Sequence, residues 1–217
     1  MNPLDWTRPD FFVWGLFLKV IQIAGFLGSG KTTTLTAISR KIGSEMRKKT
    51  AIIVNEIGAV PVDAKVISEH GLKVIEMGDG CICCEIAANV AWTLKELGEK
   101  YKPDIVFIEP SGVALPEQVR GAVELGRKYV EVEMGKVVVL FDALKGEELL
   151  GYEDLKDFVM RQIKNADIIA LNKVDAVSEV QSEYCEKKLR QLNPDADFIR
   201  ISAINGDGLD SLINRML

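Results

Sequence analysis

Gly25-Phe26-Leu27-Gly28-Ser29-Gly30-Lys31-Thr32 fits the pattern G-x-x-x-x-G-K-[ST]. It lies between a β-branched apolar run, Lys19 to Ala24, and a helical pattern from Lys31 to Ile42. Strand, glycine-rich turn and helix in that order are the context that gives the pattern a mechanism. Gly25, Gly28 and Gly30 let the backbone wrap a phosphate, and the amides from Ser29 to Thr33 at the helix amino terminus supply donors and partial positive charge. Lys31 adds a full charge near the β and γ phosphates, and the Thr32 hydroxyl is placed to bind magnesium. The stretch predicts a mononucleotide-binding α/β domain.

Outward from it, short β-branched runs alternate with helical patterns, the signature of α/β architecture. The predicted strands are 19–24, 50–54, 72–76, 104–108, 136–141, 167–171 and 197–201, most of them continuous apolar runs suited to burial on both faces. Helices are expected over 31–42, 85–101, 115–129, 152–164, 178–192 and 209–217; Pro103 follows the second. The expected fold is a single P-loop NTPase domain over residues 19–217, with a mostly parallel central sheet of about seven strands and helices on both faces. Residues 1–18 read as an amino-terminal extension of undefined role.

Ligands of open parallel sheets bind beyond the carboxyl ends of the strands. Those ends carry Gly25 to Thr34, Asn55-Glu56, Gly78 to Cys84, Glu109 to Gly112, Asp142, Asn172 to Asp175 and Ser202-Ala203. Asn172-Lys173-Val174-Asp175 is an N-K-x-D sequence, in which the Asp175 carboxylate accepts hydrogen bonds from the N1 and N2 donors of guanine. Adenine offers no such donor pair, and a buried polar group left without its partner discriminates strongly. Ser202-Ala203, one strand later, fits a loop whose amide covers the guanine O6. After a P-loop, this order favours GTP over ATP. Glu109 is the best carboxylate partner for magnesium, and the Gly112 amide is placed to sense a γ phosphate, so that the loop orders with GTP and relaxes after hydrolysis. Glu56 is the second candidate acid.

Gly80-Cys81-Ile82-Cys83-Cys84-Glu85 joins a strand to a predicted helix, where a helix amino terminus favours thiolates. Cys81, Cys83 and Cys84 are two or three ligands for a soft metal such as zinc, with the remainder drawn from Glu76, Asp79, Glu85, His70, water or a second subunit. An incomplete set suits a metal that is passed on. A redox thiol pair, a structural zinc and buried small hydrophobes are the competing readings. Cys185 falls instead on a helical apolar face with Val177, Val180, Leu189 and Leu192, and reads as a core residue.

Composition narrows the partners. The chain has 217 residues, 47% of them hydrophobic, enough to bury a core without disulfides or a structural metal. With 27 Lys and Arg against 32 Asp and Glu, its net charge of -5 and isolated basic runs argue against nucleic acid. Phe11 to Gly28 is apolar enough to raise a membrane span, but Lys19 and Gln22 interrupt it and its second half leads into the phosphate loop. Residues 1–10 lack the basic region of a signal peptide, and three cysteines within four residues are ill spaced for bridges. A reduced cytoplasmic protein without membrane attachment is expected.

The combination of GFLGSGKTT at 25–33, VNEIG at 54–58, GCICC at 80–84, EPSG at 109–112 and NKVD at 172–175 resembles the CobW-like branch of the CobW, HypB and UreG family of P-loop GTPases. The resemblance runs from about Lys19 to Leu217. It implies a SIMIBI-class fold, slow magnesium-dependent GTP hydrolysis, GTP-linked homodimerisation, and insertion or trafficking of zinc, cobalt or nickel for a metalloenzyme or cofactor-pathway client. By position, Cys81, Cys83 and Cys84 are the implied metal cysteines, and Glu56 and Glu109 the implied switch acids. A chaperone of the same G-protein type that gates cofactor loading of a metal- or corrinoid-dependent partner, without carrying metal, is the alternative. Against the pattern that the resemblance implies, the chain has Ala59 where relatives usually carry an acidic residue, a possible metal ligand, and Asp79 where they usually carry Asn. It also ends where a CobW-type carboxyl-terminal domain is expected to begin, and it has no His-rich segment.

Overall fold

The computed structural model describes residues 17–54, 72–76, 85–112, 114–151 and 153–217. Seven strands form one parallel sheet: β1 (Phe17–Gly25), β2 (Thr50–Val54), β3 (Leu72–Glu76), β4 (Ile105–Glu109), β5 (Glu131–Asp142), β6 (Ile168–Asn172) and β7 (Asp197–Arg200). Their order is β3-β2-β4-β1-β5-β6-β7. The helices are α1 (Lys31–Met46), α2 (Glu85–Glu96), α3 (Pro116–Gly126), α4 (Gly146–Gly151), α5 (Glu153–Lys164), α6 (Glu179–Leu192) and α7 (Leu209–Met216). None of the described helices is long and apolar enough to cross a membrane.

Side chains alternate between the two faces of a strand, so the continuous apolar runs build two cores at once. Ile21 and Ile23 of β1, Ile52 of β2, Phe107 of β4 and Leu140 of β5 pack on one face under α1 and α7, through Leu35, Ile38, Leu212 and Met216. On the other face, Leu18, Val20, Ile53 and Val106 meet Val90 and Leu94 of α2 and Val119 and Val123 of α3. Farther along that face, Val139, Phe141 and Leu171 meet Val159 and Ile163 of α5 and Cys185 and Leu189 of α6. Helices thus cover both faces of the sheet, as the sequence pattern predicts.

β1 lies between β4 and β5. Its chain leaves through α1 toward β2 on one side, whereas β5 leaves through α4 and α5 toward β6 on the other. Neighbouring strands whose connections part in this way open a crevice at their carboxyl ends. The segment Gly25 to Gly30 starts at that point.

Several boundaries differ from expectation, each for a local reason. β1 begins at Phe17, so the last two residues of the expected extension belong to the strand. β5 begins at Glu131 rather than Lys136 because its first half is a partly solvated strand beside Phe17 to Val20, with Val132 buried and Glu131, Glu133 and Lys136 exposed. Glycine at 135 allows the irregularity there, since a Cβ would stand 3.1 Å from the Val20 carbonyl oxygen. The helix expected over 85–101 is α-helical only to Glu96 and closes in a π turn, Leu97–Tyr101, capped by left-handed Lys102. The helix expected over 115–129 ends at Gly126, and the short α4 has no counterpart in the sequence reading.

Cys185 is buried as predicted, against Gly146, where a Cβ would lie 2.4 Å from its sulfur. Val180 corrects that reading. It is 75% exposed, because five residues of helix separate its direction from that of Cys185 by about 140°.

Arg200 joins β7 to α6, its Nη1 donating to Glu179 at 2.5 Å and its Nε to Glu186 at 2.8 Å, while Arg190 Nε also donates to Glu186. Partial burial opposes ionisation of Glu186, but hydrogen bonds from Arg190 and Arg200 outweigh it and hold the carboxyl below its usual range. A depressed folded-state value stabilises the fold above the unfolded carboxyl value of about 4.3, and the contribution is lost as pH falls through the lower folded value. Glu186→Gln should therefore lower the thermal midpoint near neutral pH, with the gap to wild type closing under acid. A gap that stays constant to about pH 3 would show that the pair contributes no such linkage.

Candidate functional site

The turn after β1 depends on glycine at three positions. Gly25, Gly28 and Gly30 have φ of 140°, 77° and 90°, a region that costs any residue with a Cβ. At Gly25 a Cβ would also stand 2.4 Å from the Leu140 carbonyl oxygen of β5, and at Gly30 it would stand 2.4 Å from Asn172 Nδ2. The loop closes through Ser29 N–H donating to the Phe26 carbonyl at 3.1 Å, and Thr34 N–H donates to Gly30 O at 2.9 Å as α1 begins. No acidic side chain occupies the first turn of α1 and no side chain caps it, so the start of the helix keeps its partial positive charge, an arrangement that suits an anion.

Lys31 is 8% exposed, and its Nζ donates to the Gly25 carbonyl at 3.1 Å and the Phe26 carbonyl at 3.4 Å. The ammonium thus lies folded over the loop it is predicted to serve. Thr32 Oγ1 donates to Glu109 Oε1 at 2.7 Å, bringing together the helix hydroxyl and the acid at the end of β4. Glu109 itself is buried. A hydroxyl and a carboxylate this close form a hard oxygen pair, the donor type that suits magnesium.

Gly112 is buried against the phosphate loop. A Cβ on it would come within 2.7 Å of Leu27 Cδ2 and 2.9 Å of the Leu27 backbone nitrogen, so only glycine allows this approach. Gln162 of α5, 2% exposed, donates from Nε2 to the carbonyls of Gly112 at 3.4 Å and Ala114 at 3.1 Å. Its neighbour Arg161 pairs with Glu117 at the start of α3. Gln162 had no motif to announce it in the sequence; its role comes entirely from packing across the fold.

The Asn172-Lys173-Val174-Asp175 segment meets the same loop from the other side. Asn172 Nδ2 donates to the Ser29 carbonyl at 2.9 Å, and its Oδ1 accepts from Ala203 N–H at 3.1 Å. Lys173, left-handed at φ 66°, donates from Nζ to the Gly28 carbonyl and to Asp142 Oδ2, each at 2.7 Å. Asp175 sits in the 3-10 turn Val174–Ala176 with its side chain exposed. Ser202 and Ala203 are buried in a tight turn, where Ser202 N–H donates to the Asp207 carbonyl and Gly206 N–H returns to Ser202 O. Gly208, at φ 71°, follows where a Cβ would lie 2.2 Å from the Arg200 carbonyl oxygen. Thr33 is exposed on the first turn of α1.

The structure therefore brings Gly25, Gly28, Ser29, Gly30, Lys31, Thr32, Glu109, Gly112, Asn172, Lys173, Ser202 and Ala203 to one crevice, with Thr33 and Asp175 on adjoining turns. Glu56, His70, Asp79, Cys81, Cys83 and Cys84 lie outside the described residues. Among the described residues, no group of three or more His, Cys, Asp or Glu is placed to hold a metal. A depression of about 460 Å³ bordered by Lys19, Glu133 and Arg215 lies at the opposite ends of the strands and takes no part in this constellation.

Residues 19–200 match the sequence model of the CobW/HypB/UreG nucleotide-binding domain. Zinc-regulated GTPase metalloprotein activator 1 of Dictyostelium discoideum is 29% identical over 84% of this chain and 45% of its own length. The zinc chaperone CobW of Sinorhizobium sp is 32% identical over 71% of this chain and 50% of its own. The chain thus spans about half the length of the curated relatives it matches. Among solved structures, the hydrogenase maturation factor HypB of Archaeoglobus fulgidus shares the fold with a TM-score of 0.66 at 22% identity, over 91% of this chain and 87% of that one. Zn(II)-bound YjiA GTPase of Escherichia coli superposes with a TM-score of 0.61 at 26% identity, over 83% of this chain and 56% of that one. The match across residues 19–200 places the chain in the CobW/HypB/UreG family.

Proposed function

We propose that the protein is a GTP-binding, GTP-hydrolysing metallochaperone that delivers zinc, cobalt or nickel to a metalloenzyme or to a cofactor pathway. The observation that carries the nucleotide half is the joining of the phosphate loop to the N-K-x-D segment through Ser29, Gly28, Asn172 and Lys173. The zinc-chaperone names of several relatives support the metal half.

In this reading the loop amides and Lys31 bind the phosphates, Asp175 accepts the N1 and N2 donors of guanine, and the Ala203 region covers O6. Thr32, Glu109 and Glu56 would hold magnesium, which when bound would neutralise charge that develops on the β and γ phosphates. The Gly112 amide donates to the γ phosphate, so the loop that begins at Glu109 is tight with GTP and loosens after its loss. Cys81, Cys83 and Cys84, just ahead of α2, hold the transferred metal as thiolates. The protein works in the cytoplasm, pairs with a second copy when GTP is bound, and associates with neither membrane nor nucleic acid.

Base selection is tested by Asp175→Asn. The amide offers one donor and one acceptor, which matches the N1–H and O2 of xanthine and mismatches the two donors of guanine. GTP affinity should fall by about 100-fold, in line with loss of charge-assisted hydrogen bonds worth about 1.5 to 3 kcal/mol, while XTP affinity rises. Displacement of a fluorescent nucleotide by GTP, XTP and ATP measures this. A variant that still prefers GTP would refute the assignment of Asp175.

The division of labour is tested by replacing Cys81, Cys83 and Cys84 with Ser together. Equilibrium dialysis should then detect no tight zinc, while GTP affinity stays within several-fold of wild type. Unchanged zinc binding would move the metal elsewhere, loss of zinc and GTP binding together would contradict the division, and wild-type protein that binds no zinc would favour a chaperone that gates its partner without carrying metal.

A further inference from the structure

Asp142 is the last residue of β5, in register with Asn172 of β6, so it stands beside the N-K-x-D segment at the rim of the crevice. Its side chain is 1% exposed. Oδ1 accepts the Leu144 N–H at 2.9 Å, which fixes the carboxylate plane to its own backbone. Oδ2 accepts Lys173 Nζ at 2.7 Å, and the same ammonium donates to the Gly28 carbonyl at 2.7 Å. Asp142, Lys173 and Gly28 form a chain of contacts from β5 through the base segment to the phosphate loop.

A buried carboxylate is costly to desolvate and persists only when its oxygens are satisfied. Asp142 meets that condition through a backbone amide on one oxygen and a charge on the other. The lysine gains more than the aspartate does. Its four-carbon stem is flexible and its ammonium a point charge, and from left-handed backbone at φ 66° it has no helix or strand of its own to orient it. Gly28, at φ 77° with open space where a Cβ would be, is held by no side chain of its own.

We propose that Asp142 is a positioning residue of the guanine-nucleotide site: it sets Lys173 on the Gly28 carbonyl, so that base segment and phosphate loop are one rigid unit before nucleotide arrives. The inference rests on the nucleotide reading given above. Because the clamp touches Gly28 and not the γ-phosphate side at Glu109 and Gly112, it serves GDP and GTP alike. Preorganisation of this kind acts on affinity more than on the chemical step.

The test uses Asp142→Asn, which keeps an acceptor for Leu144 N–H and turns an N–H toward the ammonium in place of an oxygen. Wild type, D142N, K173M and the double variant are compared by GDP and GTP affinity, steady-state kinetics and thermal unfolding. D142N should weaken GDP and GTP by the same factor, at least about tenfold, with a larger change in KM than in kcat. In the K173M background D142N should cost no further affinity. It should also raise the thermal midpoint, because K173M alone leaves a buried charge without its partner.

Two results would overturn the proposal: D142N that binds both nucleotides like wild type, even with a lowered midpoint, or a loss of affinity that persists at full size in the K173M background. Wild-type protein that binds no guanine nucleotide would instead overturn the nucleotide reading, and this inference with it.

Discussion

Two carbonyls of the phosphate loop, those of Gly28 and Ser29, are held by side chains that belong to the base segment more than 140 residues later, Lys173 and Asn172. Such loops fold back on themselves and leave their carbonyls pointing away from the phosphate side. Unless something donates to them, those oxygens are the weak point of the turn. Here the donors come from the end of β6, across β5 from β1, so the turn keeps its shape only while the sheet order β1-β5-β6 is intact. The requirement for glycine at 30 follows from the same contact, since the Asn172 amide fills the space a Cβ would take. The N-K-x-D segment and the glycine loop are therefore one piece of architecture.

The opposite flank is built differently. There, Thr32 reaches Glu109 directly, and Gly112 rests on Leu27, while the carbonyls of Gly112 and Ala114 hang from Gln162 of α5. One face of the phosphate loop is bolted to the base segment by polar bonds from buried Asn172 and from Lys173, whose partner Asp142 is buried. The other touches a loop that passes through Gly112 and is held by Thr32 at Glu109 and by the Gln162 amide at Gly112 and Ala114. A γ phosphate added to that second face would act on the Glu109 loop rather than on the base segment, which is the asymmetry a nucleotide-dependent loop requires. Gln162 links that loop to α5, and Arg161 links α5 to α3 through Glu117, so two neighbouring helices share its position.

Much of this was legible in the chain before any coordinates. The P-loop, the N-K-x-D segment and Ser202-Ala203 are short, local patterns whose chemistry needs particular residues at particular spacings, and β2 and β3 have the limits their apolar runs predict. What could not be read is what depends on partners distant in sequence. Asp142 reads as one polar residue at a strand end, and no motif marks Gln162; their roles come from Lys173, Gly112 and Ala114, which the fold brings to them. The first half of β5 hid behind its charges because a half-solvated strand alternates rather than running continuously apolar. Helical spacing alone puts Val180 on the apolar side of α6, and its exposure corrects that.

A metallochaperone of the kind proposed above needs nucleotide state to govern how tightly Cys81, Cys83 and Cys84 hold their metal, as it would if the GTP-ordered loops set the geometry of the thiolates. The most direct measurement is the cobalt affinity of the reduced protein when apo, GDP-bound and bound to a non-hydrolysable GTP analogue, read from thiolate-to-cobalt absorption, with zinc affinity obtained by competition. The expected result is thiolate-ligated metal whose affinity differs by about tenfold or more between the GDP and GTP-analogue states, a coupling of about 1.4 kcal/mol. Equal affinity in all three states, or no thiolate-ligated metal in any of them, would contradict it.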